Sequence, residues 1–329
     1  MSEPLLEVKH LKTYFEVSKT RTVKAVDDVS FQVNKGETLA VVGESGSGKS
    51  VTSLTIMGLL FSPPANIQGS VKLDGHELIG LSDKKLDQIR GNEMSMIFQE
   101  PMTSLNPVFT IGNQIAETLI RHKKVSKKEA KLETVRLLKL VGFGRAEDML
   151  KEFPHQLSGG MRQRVMIAIA MACNPKLLIA DEPTTALDVT IQQQILDLML
   201  KVKEEFHSSI LLITHDLGVV AEMADRVLVM YAGQVVEEAT AYELFTNPKH
   251  PYTVGLLNSM PKIDDEQKER LDAIPGVVPA AHRFPQGCRF APRCPHASDE
   301  CTAEMPSLMN LADTRAVRCV LYKEEAVSV

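Results

Sequence analysis

The run Gly43-Glu44-Ser45-Gly46-Ser47-Gly48-Lys49-Ser50 sets glycines, a lysine and a hydroxyl in the spacing G-x-x-x-x-G-K-[ST]. Glycines let a backbone curl until successive N–H groups face one centre, and a helix starting just after adds positive potential there. Such a loop receives phosphate oxygens. In this pattern Lys49 bridges the β- and γ-phosphates of a nucleoside triphosphate, and the Ser50 hydroxyl holds Mg2+. The motif requires a strand before it and a helix after it. Glu37 to Val42 reads as a short buried strand and Lys49 to Leu60 as a helix, so the context fits. Nucleotide binding is the first inference.

Other reactive residues fall at the ends of apolar runs. Asp181-Glu182 follows Lys176-Leu177-Leu178-Ile179-Ala180. An aspartate at such a strand end holds Mg2+ directly or through water, and Glu182 is placed to polarise a water for in-line attack on the γ-phosphate. His215 closes the next strand, in Thr214-His215-Asp216, where an imidazole can meet the γ-phosphate or the water. Taken alone, it reads more simply as a cap on the following helix. Gln99, after Met94 to Phe98, is similarly able to reach metal or water. Leu157-Ser158-Gly159-Gly160-Met161 precedes the helix Arg162 to Cys173, which makes it either a second anion site or a plain Ser-Gly-Gly cap.

The elements that must carry these residues alternate. Leu5 to Phe15 and Val23 to Val33 predict an antiparallel β layer, and Gly69 to Leu78 a hairpin turning at Asp74-Gly75. Pro101 to about Gln156 turns helical. Ser126 and Glu129 form a capping-box pair, Ala130, Thr134, Leu137, Leu138 and Val141 share a face, and Gly142 ends the helix. Leu177 to Ala180, Ile210 to Thr214 and Val227 to Tyr231 predict buried strands, with an amphipathic helix marked by Ile191, Ile195, Leu198, Met199 and Val202. Strands alternating with helices imply a parallel sheet covered on both faces, with ligands at the carboxyl ends of its strands. From Asn247 prolines become frequent and periodicity fades, so 247–329 reads as a separate, largely loop extension.

A chain of 329 residues has room for one large domain or two. Its net charge of −5 gives no basic field for nucleic acid, so no nucleic-acid partner is expected. Met1-Ser2-Glu3-Pro4 has neither a basic nor an apolar leader region, and the longest apolar run, Val165 to Cys173, is far too short to span a bilayer. A cytoplasmic protein is expected, with any membrane role coming through another subunit. Cys173 reads as a small core residue. Cys288, Cys294, Cys301 and Cys319 lie together late in the chain, and for a cytoplasmic protein metal binding is a sharper reading than disulfides.

Taken in order, these motifs resemble the ATP-binding subunits of ABC transporters over residues 1 to about 245. Gly43 to Ser50 is similar to the Walker A loop, Gln99 to the Q-loop and Leu157 to Met161 to the signature motif. Leu178 to Glu182 is similar to Walker B, Ala186-Leu187-Asp188 to the D-loop and His215 to the switch histidine. The resemblance implies an α/β P-loop NTPase: a RecA-like core with an antiparallel β subdomain and a helical insertion at about 101–160. It implies ATP and Mg2+ as ligands, Phe15 (or its neighbour Tyr14) stacked on adenine, and head-to-tail pairing. In such a pair Ser158, Gly159 and Gly160 serve the partner's nucleotide.

Gln99-Glu100-Pro101-Met102-Thr103-Ser104-Leu105-Asn106-Pro107 resembles the dipeptide/oligopeptide/nickel branch, as do Asn247 to Thr253, Gly276 to Pro279 and Gly287 to Pro295. That implies domains at 1–246 and 247–329 and two permease subunits, the Gln99 to Pro107 stretch receiving the permease. It also implies a second homologous ATPase (a homodimer being the alternative), an extracellular binding protein and peptide cargo, with nickel or another small solute such as sugar as runner-up and a non-transport ABC ATPase as the lesser alternative. It places the chain at the cytoplasmic face of the membrane. Some members of the branch carry a [4Fe-4S] cluster, so the resemblance implies one on Cys288, Cys294, Cys301 and Cys319, with Arg289, Arg293, Arg315 and Arg318 offsetting its charge. Zinc and free thiols remain alternatives, since the spacing matches neither a zinc ribbon nor a ferredoxin run.

Overall fold

The computed structural model describes residues 4–18, 20–100, 104–185, 187–260 and 273–326. Pro101, Met102 and Thr103 of the Gln99 to Pro107 stretch, and Ala186 of the D-loop match, lie outside the described residues. In chain order the strands are β1 (Leu6–Ser18), β2 (Arg21–Val33), β3 (Thr38–Val42), β4 (Ala65–Leu73), β5 (His76–Glu77) and β6 (Met94–Ile97). They continue with β7 (Leu177–Asp181), β8 (Ser209–Ile213), β9 (Arg226–Tyr231), β10 (Gln234–Thr240), β11 (Met309–Ala312) and β12 (Arg315–Val317). The chain folds into two compact units, Met1–Leu6, Gln32–Thr38 and Lys72–Ile213 forming one, and Glu7–Phe31, Leu39–Val71 and Thr214–Val329 the other.

In the first unit β6, β7 and β8 run parallel, with Met94 opposite Leu177 and Leu177 opposite Ser209. Every residue of the three is buried, which is why they read as unbroken apolar runs rather than alternating ones. The helical insertion holds helices Ile111–Lys123 and Lys127–Leu140. Ser126 Oγ accepts from the Glu129 N–H at 3.3 Å and Glu129 Oε2 accepts from the Ser126 N–H at 2.8 Å, the predicted capping box. Ala130, Thr134, Leu137 and Leu138 form its buried face. Asp74 and Gly75 take φ of 48° and 80°, the paired left-handed conformations of a type I′ hairpin turn, and set Leu73 opposite His76.

In the second unit β1 lies between β2 and β4. β3 is parallel to β9, and β9 to β10 to β12 to β11 continue antiparallel. The last two strands belong to the extension, for which the sequence pattern predicted mostly loop. Arg315–Val317 carries only three ladder positions, too few to register as alternation, yet it pairs Val317 with Glu237 and Ala316 with Glu238 of β10.

Glu237 anchors the start of the extension. Its fully buried carboxylate accepts from the Lys249 and His250 N–H groups at 2.8 and 2.7 Å, and from Arg315 Nη2 at 3.2 Å. His250 Nδ1 then accepts from the Tyr252 N–H at 3.0 Å, capping helix Pro251–Asn258. Burial, helped by the nearby Arg318, pushes the His250 pKa down to about 3 from an ordinary 6.5. Between those values the unfolded chain takes up a proton that the folded one refuses, so stability is full above pH 6.5 and is lost as pH falls toward 3. His250→Asn, which keeps the cap, is expected to flatten the fall in unfolding midpoint between about pH 7 and pH 5. Equal slopes for the two proteins would show that His250 is not the titrating group.

Candidate active site

β3 ends at Val42 and the chain turns at once into the phosphate loop, with φ of 150° at Gly43, 77° at Gly46 and 101° at Gly48. A Cβ on Gly43 would drive into the Met230 carbonyl oxygen and one on Gly48 into that of Ala25, whereas Gly46 faces open space. The loop is tied from below by the Gly233 N–H, which donates to the Ser47 carbonyl at 2.9 Å. Gly48 caps helix Lys49–Ile56. Lys49 is buried and folds back, its Nζ donating to the Gly43 and Glu44 carbonyls at 2.7 and 3.1 Å. Ser47 Oγ is buried without a hydrogen-bond partner. A curled loop with a helix opening behind it, a lysine resting on its carbonyls and an orphaned hydroxyl fits phosphate oxygens as its missing acceptors. Ser45 and Ser50 complete the loop, Ser50 in the first turn of the helix.

Tyr14 and Phe15 sit near the end of β1. The Tyr14 hydroxyl donates to Asp27, and Lys24 lies over its ring at 5.6 Å, so Tyr14 is engaged within the protein. Phe15, next along the strand, projects to the opposite face and is half-buried. His215 follows β8 and is exposed; the cap on helix Leu217–Met223 comes from Asp216, whose Oδ1 accepts from the Gly218 and Val219 N–H groups at 2.8 and 3.4 Å. The simpler sequence reading of His215 as that cap is therefore replaced by its neighbour.

The carboxylates belong to the first unit. Asp181 is the buried last residue of β7. Glu182 turns out of the strand at φ 49°, a strained conformation for a side chain of its kind, held by its N–H on the Ile213 carbonyl at 2.8 Å. Its Oε2 accepts from Gln99 Nε2 at 2.8 Å and from Thr185 Oγ1 at 2.9 Å. Gln99 and Glu182, separated in sequence by the whole insertion, are thus brought together. Thr185 went unread in the sequence, because a threonine three residues past an acidic pair carries no distinctive pattern.

Ser158 Oγ accepts from the Met161 N–H at 3.4 Å, so it caps helix Gly159–Met171, and Ser158 and Gly159 stay exposed. Gly160 has no room for a side chain: a Cβ there would lie 2.7 Å from Ile191 Cγ2. Asp188 Oδ1 accepts from the Ile191 N–H at 3.0 Å and so fixes the start of helix Val189–Phe206 beside the loop.

The late cysteines correct an expectation. Among the described residues no group of three or more His, Cys, Asp or Glu side chains is placed to hold a metal ion. Cys288, Cys294, Cys301 and Cys319 are free thiols around a space of about 10 Å3, room for a water at most. Burial pushes the Cys288 and Cys294 thiols up and that of Cys319 up to about 11. The arginines assigned to an anionic cluster have protein partners: Arg289 pairs with Asp27, Arg293 with Glu44 and Arg315 with Glu237. Arg318 donates to the Val235 and Pro306 carbonyls at 2.8 and 3.0 Å. The implied [4Fe-4S] cluster is not supported, and neither is zinc in its place. These side chains pin the extension to β10 and to the phosphate loop.

Comparison with known proteins agrees with the nucleotide site. Residues 26–185 match the ABC transporter family, and residues 236–301 match the oligopeptide/dipeptide transporter C-terminal region. The oligopeptide transport ATP-binding protein AppD of Bacillus subtilis is 62% identical over 98% of this chain and 98% of its own. The dipeptide transport ATP-binding protein DppD of Haemophilus influenzae is 52% identical over 96% and 94%. Among solved structures, the dimeric post-hydrolysis state of the ATP-binding cassette MJ0796, bound to ADP and Pi, superposes with a TM-score of 0.65. It is 28% identical, over 72% of this chain and 98% of that one. The chain belongs to the ATP-hydrolysing, ATP-binding subunits of ABC transporters, in the oligopeptide/dipeptide branch.

Proposed function

We propose that this chain drives import of short peptides through a membrane permease. The observation that carries this reading is the joining, in one chain, of a nucleotide cassette to an oligopeptide/dipeptide-type C-terminal region. We read residues 1–246 as the cassette and 247–329 as the extension peculiar to the branch. Among the described residues no helix is long and apolar enough to cross a membrane. Its partners are two permease subunits and a second, homologous ATPase, with an extracellular peptide-binding protein acting indirectly. The chain lies at the cytoplasmic face.

Within the site, Gly43 to Gly48 cradle the triphosphate and Lys49 offsets its charge. Phe15 stacks on adenine. Ser50, Gln99 and Asp181 offer hydroxyl, amide and carboxylate oxygens, a hard donor set suited to Mg2+, which would spread the charge developing on the phosphates. Glu182, oriented by Thr185, polarises the attacking water, and His215 reports on the γ-phosphate. Ser158, Gly159 and Gly160 close over the nucleotide of the paired subunit. The exposure of Ser158 and Gly159 supports this assignment.

Uptake in a strain lacking this gene tests the cargo. Accumulation of labelled di- and oligopeptides should fall at least about tenfold while nickel uptake is unchanged. Loss of nickel uptake with peptide uptake intact would move the chain to the other arm of its branch.

A further inference from the structure

Glu44, the second residue of the phosphate loop, is gripped by the C-terminal extension at two separate points. Its main-chain N–H donates to the Tyr252 hydroxyl at 2.8 Å. Its carboxylate takes a two-pronged ion pair from Arg293, Nη1 to Oε2 at 2.7 Å and Nη2 to Oε1 at 3.1 Å. The grip is rigid. Arg293 also donates to the Pro275 and Ile274 carbonyls at 2.8 and 3.3 Å. Tyr252 is fully buried and packs with Tyr231 and Phe290 at ring separations of 4.6 and 5.5 Å. Two further contacts come from inside the loop, both on the Glu44 carbonyl: Lys49 Nζ at 3.1 Å and the Ser47 N–H at 3.2 Å.

The lysine contact has to break in use, since an ammonium that turns to phosphate oxygens leaves the loop carbonyls. With only Lys49 and the single Ser47 N–H bond holding it, the first turn of the loop would slacken as phosphate arrives, and binding would have to order it again. The two contacts from the extension do not depend on Lys49. We propose that Tyr252 and Arg293 are positioning residues of the nucleotide site, holding the phosphate loop open and ordered through Glu44 whether or not Lys49 is engaged. This rests on the assignment of Gly43 to Ser50 as the ATP-phosphate loop. The extension of this chain is then part of its nucleotide-binding machinery, and loss of the Tyr252 and Arg293 contacts would weaken ATP binding here even with every cassette motif intact.

The test uses the purified complete transporter, with MgATP as the probe, measuring KM and kcat for ATP and the unfolding midpoint without nucleotide. Tyr252→Phe deletes one hydroxyl and should raise KM about fivefold, the net worth of one hydrogen bond. Arg293→Lys keeps the charge but not the fork and should raise it about tenfold, and Arg293→Gln about thirtyfold. In each, kcat stays within about twofold, because the loss is in binding rather than in the transition state alone. Tyr322→Phe removes a different hydroxyl bond of the extension, to the Lys249 carbonyl at 2.8 Å, and should leave KM unchanged. Wild-type KM in Tyr252→Phe and both Arg293 variants would overturn the proposal. So would a lowered unfolding midpoint in which kcat falls with the folded fraction and KM does not move, as plain loss of structure requires. Absence of MgATP binding by the wild-type complex would instead overturn the phosphate-loop assignment on which the proposal stands.

Discussion

Replacing Glu182 with glutamine leaves ATP binding near wild type and cuts turnover about a thousandfold, the scale of a lost general base. The geometry supports so clean a separation. Glu182 sits just past the end of β7, in a left-handed conformation fixed by its own N–H on Ile213, so its backbone placement does not depend on side-chain charge. Its Oε2 already accepts from Gln99 and Thr185, and an amide oxygen can accept the same two bonds. What the amide cannot do is take a proton from water. ATP-bound, non-hydrolysing transporter should accumulate, measured as nucleotide retained after rapid filtration against phosphate released. Turnover within about threefold of wild type would remove Glu182 from the role of base.

Substitution of two glycines in the same loop should give sharply different results. Gly43→Ala abolishes measurable ATP binding, a loss of at least about a hundredfold, because its Cβ meets the Met230 carbonyl oxygen. A main-chain carbonyl of a buried strand cannot step aside, so the loop must move. Gly46→Ala, at φ 77° with open space around it, adds only the local strain of a left-handed alanine and weakens binding about fivefold. Titration with MgATP, with circular dichroism confirming that both variants fold, measures the difference. Equal losses would mean that φ alone, and not the clash with Met230, governs the loop.

Legibility in the sequence tracked how local the determining physics is. The loop, the capping box at Ser126 and the turn at Asp74-Gly75 are set by residues within a few positions of one another, and each stands where its pattern placed it. The parallel strands β6, β7 and β8 were legible because burial on both faces leaves unbroken apolar runs. The joining of Gln99 to Glu182 was invisible without the family's motif order, since the contact spans the whole insertion. β12 was missed because a three-residue strand has no period to read. The arginines of the extension were read from their proximity in sequence to four cysteines. Their actual partners, Asp27, Glu44 and Glu237, lie far away in the chain, where no spacing rule reaches. The same long-range pairing hid the contact between the extension and Glu44.

The most direct test of the central claim is ATP consumption and peptide accumulation in the same vesicles. The complete transporter is reconstituted with its binding protein on the side opposite to ATP. Labelled peptide should accumulate only with hydrolysable ATP, and Glu182→Gln should abolish both signals together. Peptide accumulation that continues without hydrolysis, or hydrolysis at the wild-type rate that moves no peptide, would contradict the account.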